Sequence, residues 1–455
     1  MNTVPRLKFV AMTTHKHPHD LPARLAQALA PWRHAPAWHV GFSGGLDSTV
    51  LLHALADLAR RETLPPINAI HVHHGLQAAA DAWPAHCQQV CDALCVSLRV
   101  IAVQVKAEAS LEQAAREARY AAFTAVLKPG EVLLTAQHQD DQAETLLFRL
   151  LRGAGLRGLA AMPVSRALDE GSLLRPLLGV SRADLEAYAR EHQLAWIEDP
   201  SNNDVQFSRN YLRNQVMPAL TSRWPQATAN LARTATHLDE AQQLLNELAE
   251  QDLVAARSDS LLPWVAIPSL ALAPLVDLSA ARQRNALRHW LAPLTRLPDS
   301  DHWRGWEDLR DAGQDARPVW RLADGELHRA EGRIWWLSGD FLQPLKAVSA
   351  WGNLARPLRL PGNGQLRIDG KIPAGSFEVR YRQGGEILHL PGRGHRDLKR
   401  LLNERGIPLF VRGRLPLLYR NGQLLAVANL PELNADAHGD WRLQWQAPTN
   451  DQSLS

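Results

Sequence analysis

Val40-Gly41-Phe42-Ser43-Gly44-Gly45-Leu46-Asp47-Ser48-Thr49-Val50-Leu51-Leu52-His53 passes from strand to helix through a glycine turn. Residues 39–42 bring the β-branched and aromatic side chains that suit a pleated strand. Ser43-Gly44-Gly45 allows positive φ angles and a close backbone approach. Asp47 or Ser48 can cap the helix that follows, along which Leu51, Leu55, Leu58 and Ala59 recur on one face. A glycine turn feeding a helix start aims several backbone amides at one point, and the helix dipole favours an anion there. The segment reads as a phosphate cradle. It is not the usual nucleotide loop, because G-x-x-x-x-G-K followed by Ser or Thr occurs nowhere in the chain.

Working outward, residues 1–20 hold several His and Lys without periodicity and read as a loose tail. A short amphipathic helix is expected over 21–29. A second strand over 67–73 ends in His73-His74-Gly75-Leu76, and a third covers 96–103. Ser110 is a candidate cap for a helix over 110–127, and 131–136 is a fourth, apolar strand. Strands alternating with helices at this spacing predict an α/β fold, a doubly wound parallel sheet. Ligands of such sheets gather at the carboxyl ends of the strands, where Ser43, His73 and Gln137-His138 fall.

The next polar turn, Gln137-His138-Gln139-Asp140-Asp141-Gln142-Ala143-Glu144-Thr145, opens a helix that continues through Leu146, Leu147 and Leu150. Asp141 and Glu144, three apart, share a face and can hold Mg²⁺ or grip an amino group. An acidic first turn also simply suits the helix dipole. The loop Arg152-Gly153-Ala154-Gly155-Leu156-Arg157-Gly158-Leu159 is basic and able to meet triphosphate or RNA backbone. Asp199-Pro200-Ser201-Asn202 is turn chemistry, and beyond it Arg209 and Arg213 are four apart and can point together at an anion.

With 455 residues, 45% hydrophobic and 21% charged, two or three globular domains are expected. The formal charge of +3 leaves any nucleic-acid footprint to local clustering. Cys87, Cys91 and Cys95 recur every four residues, which suits one buried helix face better than a disulfide framework or a metal site. The few cysteines, with no secretory signal and no apolar run of spanning length, predict a cytoplasmic protein without a membrane partner. Residues 225–255 read as a linker helix, and ten of the fifteen tryptophans lie beyond residue 250, where packing is the expected role. The last segment concentrates Arg393, Arg396, Lys399, Arg400, Arg405, Arg412, Arg414 and Arg420 against Asp397 and Glu404. A helix from Asp397 to Glu404 and strands at 409–411 and 417–419 would present that charge to phosphates.

The Ser43-Gly44-Gly45-Leu46-Asp47-Ser48 run resembles the pyrophosphate loop of the ATP pyrophosphatase superfamily. Taken in order with His73-His74-Gly75-Leu76, the 113–120 helix, Asp140 to Thr145, the 152–159 loop and Asp199 to Asn202, it resembles the tRNA(Ile)-lysidine synthetases over residues 30–215. Leu398-Lys399-Arg400-Leu401-Leu402 is similar to a helix of that family's C-terminal domain, and Gln137 stands where the family more often has a histidine. The resemblance implies an adenine-nucleotide α-hydrolase-like catalytic domain (21–217), a mainly helical middle domain (218–350) and a small α+β C-terminal domain (351–446). It further implies ligation of L-lysine to the wobble cytidine of a tRNA(Ile) with a CAU anticodon. ATP would be a substrate, seated on Ser43, Gly44, Gly45, Leu46, Asp47 and Ser48. Asp47, Asp141 and Glu144 would be catalytic, with Mg²⁺ on Asp47 and Asp141. His138, Arg152, Arg209, Arg213, Lys399 and Arg400 would meet substrate or RNA. The oligomeric state, a homodimer included, is left open.

Overall fold

A computed structural model of the chain describes residues 20–75, 78–105, 111–258, 262–297, 300–313, 316–346, 350–390, 394–436 and 440–448. Residues 1–19 of the tail, Leu76, Ser110 and Arg393 therefore lie outside the described residues. The chain forms two compact units, Met1–Gln243 and Leu244–Ser455.

In the first unit, α1 (Leu21–Leu29) precedes β1 (Trp38–Gly41), α2 (Leu46–Arg61), β2 (Ile67–His73), α3 (Trp83–Leu94), β3 (Ser97–Ala102) and α4 (Leu111–Thr124). Then come β4 (Val132–Leu134), α5 (Gln139–Leu151), α6 (Leu156–Leu159), β5 (Ser165–Leu168), β6 (Gly171–Leu174) and α7 (Arg182–Glu191). The short α8 (Ser208–Tyr211) runs through a π-helical turn, Leu212–Val216, into α9 (Met217–Arg223) and the long α10 (Ala227–Ala256). The sheet has the order β3-β2-β1-β4-β6-β5, parallel throughout except for the edge strand β5. The chain thus turns from one side of β1 to the other, and a crevice opens at the carboxyl ends of β1 and β4. Trp38, Val40, Phe42 and the α2 residues Val50, Leu51, Leu52 and Leu55 are all no more than 1% exposed. Burial of that apolar surface, worth roughly 25 cal/mol per Å², fixes the loop between β1 and α2.

Two local expectations change. Neither Asp47 nor Ser48 caps α2: Gly45 holds the cap position with extended backbone, and both residues lie in the first turn. Cys87 and Cys91 are buried as expected, but Cys95 is exposed, because α3 ends there in a left-handed residue.

The second unit carries β7 (Ser269–Ala271), α11 (Ala273–Val276), α12 (Ala280–Leu291), α13 (Arg304–Asp311), β8 (Val319–Leu322), β9 (Gly325–Ala330) and β10 (Arg333–Leu337). Its helices pack with an antiparallel sheet of order β7-β10-β9-β8. There follow β11 (Leu358–Arg359), β12 (Gln365–Gly370), β13 (Phe377–Arg380), β14 (Ile387–Leu390), β15 (Gly394–Asp397) and α14 (Leu398–Glu404). The chain closes with α15 (Leu409–Arg412), β16 (Leu417–Arg420), β17 (Gln423–Val427), β18 (Leu430–Asn434) and β19 (Trp441–Gln446). Residues 409–411, expected as a strand, form α15, since extended Pro408 starts a turn that Gly413 ends. A short apolar run reads alike in either state. Of the ten tryptophans beyond residue 250, nine are at most 9% exposed, so they do serve as core.

Candidate active site

The site is built on the turn after β1. Gly44 has φ +84°, and a Cβ there would come within 2.7 Å of Ile197 Cδ1 and 3.0 Å of Cys87 Sγ. Only glycine meets both conditions. The Ile197 amide donates to Gly44 O at 2.8 Å, tying the 196–199 segment over the turn. The first backbone bond of α2 runs from Thr49 N to Gly45 O, so the amides of Leu46, Asp47 and Ser48 are those a helix start leaves without intrahelical acceptors. Ser43 Oγ lies 3.1 Å from Ser48 Oγ, and the buried Ser48 hydroxyl also reaches Gly45 O at 3.0 Å. Ser43, by contrast, is exposed.

Asp47 faces the start of α5. Its Oδ2 lies 3.6 Å from His138 Nε2, and its Oδ1 lies 3.5 Å from an Arg182 guanidinium nitrogen, buried and without a hydrogen-bond partner. His138 is 1% exposed and is surrounded by carboxylates, with Asp141 Oδ2 at 3.5 Å and Asp140 Oδ2 at 3.6 Å. Burial opposes its charge, yet Asp140, Asp47 and Asp141 prevail and push the imidazolium up to about 10. Burial likewise opposes the charge of Asp47, but His138, Arg182 and Arg213 hold the carboxyl below its usual range. Asp140, lowered too, accepts the Arg182 amide at 3.0 Å and so fastens α5 to α7.

One turn along α5, the carboxylates expected to share a face do so, and they meet the two expected arginines. Arg213 grips Glu144 with both forks, 2.7 Å to Oε1 and 2.9 Å to Oε2, and reaches Asp141 Oδ1 at 3.0 Å. Arg209 touches Glu144 and Asp141 only at 3.3 Å. Glu144 is 3% exposed while the Arg213 side chain keeps 32%, so the carboxylate of this bidentate, charge-assisted pair is the desolvated partner. The anion that Arg209 and Arg213 point at is thus the chain's own acidic pair. Both Asp141 oxygens are engaged, the second by the His138 amide at 3.1 Å, whereas Asp47 Oδ1 has no hydrogen bond and only the Arg182 guanidinium at 3.5 Å. Arg213 sits in the π-helical turn, which shifts the ring of hydrogen bonds at this point, as such turns commonly do at functional sites.

Asp47, Asp140, Glu144, Arg182 and Arg213 line a cleft of about 800 Å³ with Trp83, Trp196, Ile197 and Asn202, adjoining a second hollow that takes in Asp141, Arg209, His74, Arg116 and Tyr120. Asn210 and Asn214 donate to the carbonyls of Ser201, Asp204 and Asn202, which holds the Asp199–Asn202 turn at the rim. Arg152 is exposed and stacks over Phe148, 4.2 Å from its ring centre. Asp140, Arg182, Arg116 and Arg119 were not singled out in the sequence. The available signals were the 113–120 helix, which carries Arg116 and Arg119, the motif that opens at Asp140, and Ser181, which caps the helix starting with Arg182.

Cys87 and Cys91 offer no reactive thiol beside this cleft. Burial pushes Cys87 up to about 12 and Cys91 up to about 11.

Lys399 and Arg400, in the second unit, are exposed on α14, where Arg400 pairs with Glu404 at 3.1 Å. The basic concentration is smaller than its residue count. Arg412 is 7% exposed and donates to Ile407 O and Asn403 Oδ1. Arg414 is 5% exposed and donates to the carbonyls of Asp340, Gln343 and Gly362. Arg405 pairs with Glu432 of β18, an acid remote in sequence.

Family comparison matches an ATP-binding PP-loop domain over residues 18–220, a TilS substrate-binding domain over 270–335 and a TilS substrate C-terminal domain over 377–445. The chain is similar to the tRNA(Ile)-lysidine synthase of Pseudomonas syringae pv. tomato, 65% identical over 97% of this chain and 100% of the relative. The synthase of Pseudomonas aeruginosa is 65% identical over 96% and 99%. That of Alkalilimnicola ehrlichii is 44% identical over 90% and 93%. Near-complete overlap at that identity, on a fold whose glycine turn and acidic helix start face one cleft, means that the chain belongs to the tRNA(Ile)-lysidine synthase family.

Proposed function

We propose that the protein uses ATP to adenylate the 2-carbonyl oxygen of the wobble cytidine in a tRNA(Ile) with a CAU anticodon, and that an amine of L-lysine then displaces AMP to give lysidine. The observation that carries this reading is that the start of α2, Asp47 and the Asp141–Glu144 pair border two adjoining cavities, with buried His138 behind the carboxylates. In the first step the cytidine oxygen attacks the α-phosphorus and pyrophosphate leaves. The amides of Leu46, Asp47 and Ser48, with the Ser43 hydroxyl, are preorganised donors for that leaving charge. Mg²⁺, which keeps phosphate oxygens and waters among its ligands, suits the Asp47 oxygen that has no hydrogen bond better than the fully engaged Asp141. When bound, it would neutralise phosphate charge.

In the second step the lysine amine, having shed a proton, attacks the 2-carbon and AMP departs. Asp141 and Glu144 are the receptors for the lysine ammonium, and Arg209, held only at 3.3 Å, is the guanidinium that gives way or turns to phosphate. Arg213, bound at 2.7 and 2.9 Å, stays to orient Glu144. Lys399 and Arg400 supply RNA phosphate contacts. We assign residues 21–217, 218–350 and 351–446 to catalysis, substrate binding and RNA grip respectively, and place the protein in the cytoplasm. No described helix is long and apolar enough to cross a membrane. The test is mass spectrometry of nucleosides from CAU-anticodon tRNA incubated with the protein, ATP and labelled lysine. Label in a modified cytidine is the expected result, and its absence with release of AMP would turn attention to another nucleophile.

A further inference from the structure

The adjoining hollow has a wall that this chemistry does not use. Arg116 of α4 and Arg166 of β5 each stack on Tyr120, their guanidinium carbons 5.0 and 5.1 Å from its ring centre. Behind them Arg175, at the end of β6, is 3% exposed; it donates to Pro163 O at 2.8 Å and bears on the Tyr120 hydroxyl, while its Nε has no partner. Arg149 adds a fourth guanidinium, anchored on the carbonyls of Gly158 and Ala161.

Among the described residues, none of these four arginines has a carboxylate in ion-pair range, whereas Arg182, Arg209 and Arg213 all do. The excess is felt locally. Burial would raise the Tyr120 phenol, but Arg116, Arg175 and Arg166 hold it below its usual value. So much uncompensated charge around Arg116 and Tyr120, which line the hollow, favours an anion. Arg116 and Arg166 are exposed and held over one ring, and apart from the Arg166 bond to Ala167 O at 3.3 Å their N–H groups are presented to solvent. The leaving phosphates of ATP already have the start of α2 as their seat.

We infer that Arg116, Tyr120 and Arg166, braced by Arg175, form a seat for a backbone phosphate of the RNA strand that carries the target cytidine. The inference rests on the RNA-adenylating reading above. The seat holds the strand beside the glycine turn, since Arg116 and Tyr120 line the same hollow as Ser43 and Asp47.

The experiment measures tRNA affinity against salt, together with the KM for ATP, for the full-length protein and its Arg116→Ala/Arg166→Ala double variant. Both positions are exposed, so the variant should fold, and its melting temperature verifies this. We expect tRNA binding about tenfold weaker and a log–log salt slope shallower by about 0.7, the change for one single-strand phosphate that is no longer neutralised. The KM for ATP should move less than twofold. The Arg116→Lys/Arg166→Lys variant should recover the slope. A raised KM for ATP with an unchanged tRNA slope would give the seat to a nucleotide phosphate and overturn the inference, and so would no change in either. Lysine incorporation by the unmodified protein is scored separately. Its failure would remove the underlying reading, while the binding slope would still judge the seat.

Discussion

His138 shows how much chemistry one buried ring can organise. It lies within 3.6 Å of Asp47, Asp140 and Asp141, on which the catalytic reading depends, and it is charged at neutral pH. Its pKa rises from 6.5 to about 10 on folding, so its stabilisation is complete below about pH 6.5 and is lost as the pH climbs through 10. Asp47 and Asp140 are depressed and act oppositely: their contribution is present above their usual value of 3.8 and lost as acid protonates them. Replacing His138 by Gln should cost about 3 kcal/mol near pH 6, the scale for breaking a buried charge pair. The difference should close towards pH 10, as read by urea melts across that range, and a pH-independent difference would deny the imidazolium. At Asp47, Ala substitution should abolish AMP formation while leaving tRNA affinity intact. Normal lysine-dependent AMP release by that variant would remove Asp47 from the chemistry. Glu144→Gln should raise the KM for lysine more than that for ATP, because the charge it removes is the one an ammonium needs. Equal changes in the two constants would favour a metal or purely structural role.

At the scale of the element, the turn between β1 and α2 combines a dihedral demand with a steric one. Gly44→Ala meets both the positive φ and the 2.7 Å approach to Ile197. It should cost about 1–2 kcal/mol in backbone strain alone and raise the KM for ATP at least tenfold. Adding Ile197→Ala relieves the clash but not the dihedral, so the double variant should regain only part of the stability in thermal melts. Full recovery would mean that φ carries no cost. This element was legible in the sequence because glycine, strand and helix signals are local. So was the shared face of Asp141 and Glu144, which follows from helical spacing alone. Their pairing with Arg209 and Arg213 was not, since 65 or more residues separate the partners and no periodicity records which anion an arginine meets. The π-helical turn left no trace for the same reason, and α15 was missed because the three-residue apolar run 409–411 has no period.

For the whole molecule, the difference lies between arginines that face water and arginines that hold the fold. Counting basic residues from 393 to 420 overstated the RNA footprint, because a buried guanidinium bonded to carbonyls contributes little to a surface potential. Arg412 and Arg414 belong to that class, and Lys399, Arg400 and Arg396 to the other. The two classes should separate cleanly by experiment. Lys399→Ala/Arg400→Ala should leave the melting temperature within about a degree, because exposed pairs such as Arg400–Glu404 contribute at most about 1 kcal/mol. The same variant should bind tRNA more weakly and with a shallower salt dependence, by up to about 0.9 for each duplex phosphate left without its cation. Arg414→Ala should do the reverse. It removes a guanidinium that is 5% exposed, together with its bonds to the carbonyls of Asp340, Gln343 and Gly362, each worth about 0.5–1.5 kcal/mol. It should therefore lower stability sharply, while the protein that remains folded keeps the original salt slope. An unchanged slope in the Lys399 and Arg400 variant would take α14 out of the RNA interface, and a changed slope in the Arg414 variant would bring that buried residue back into it.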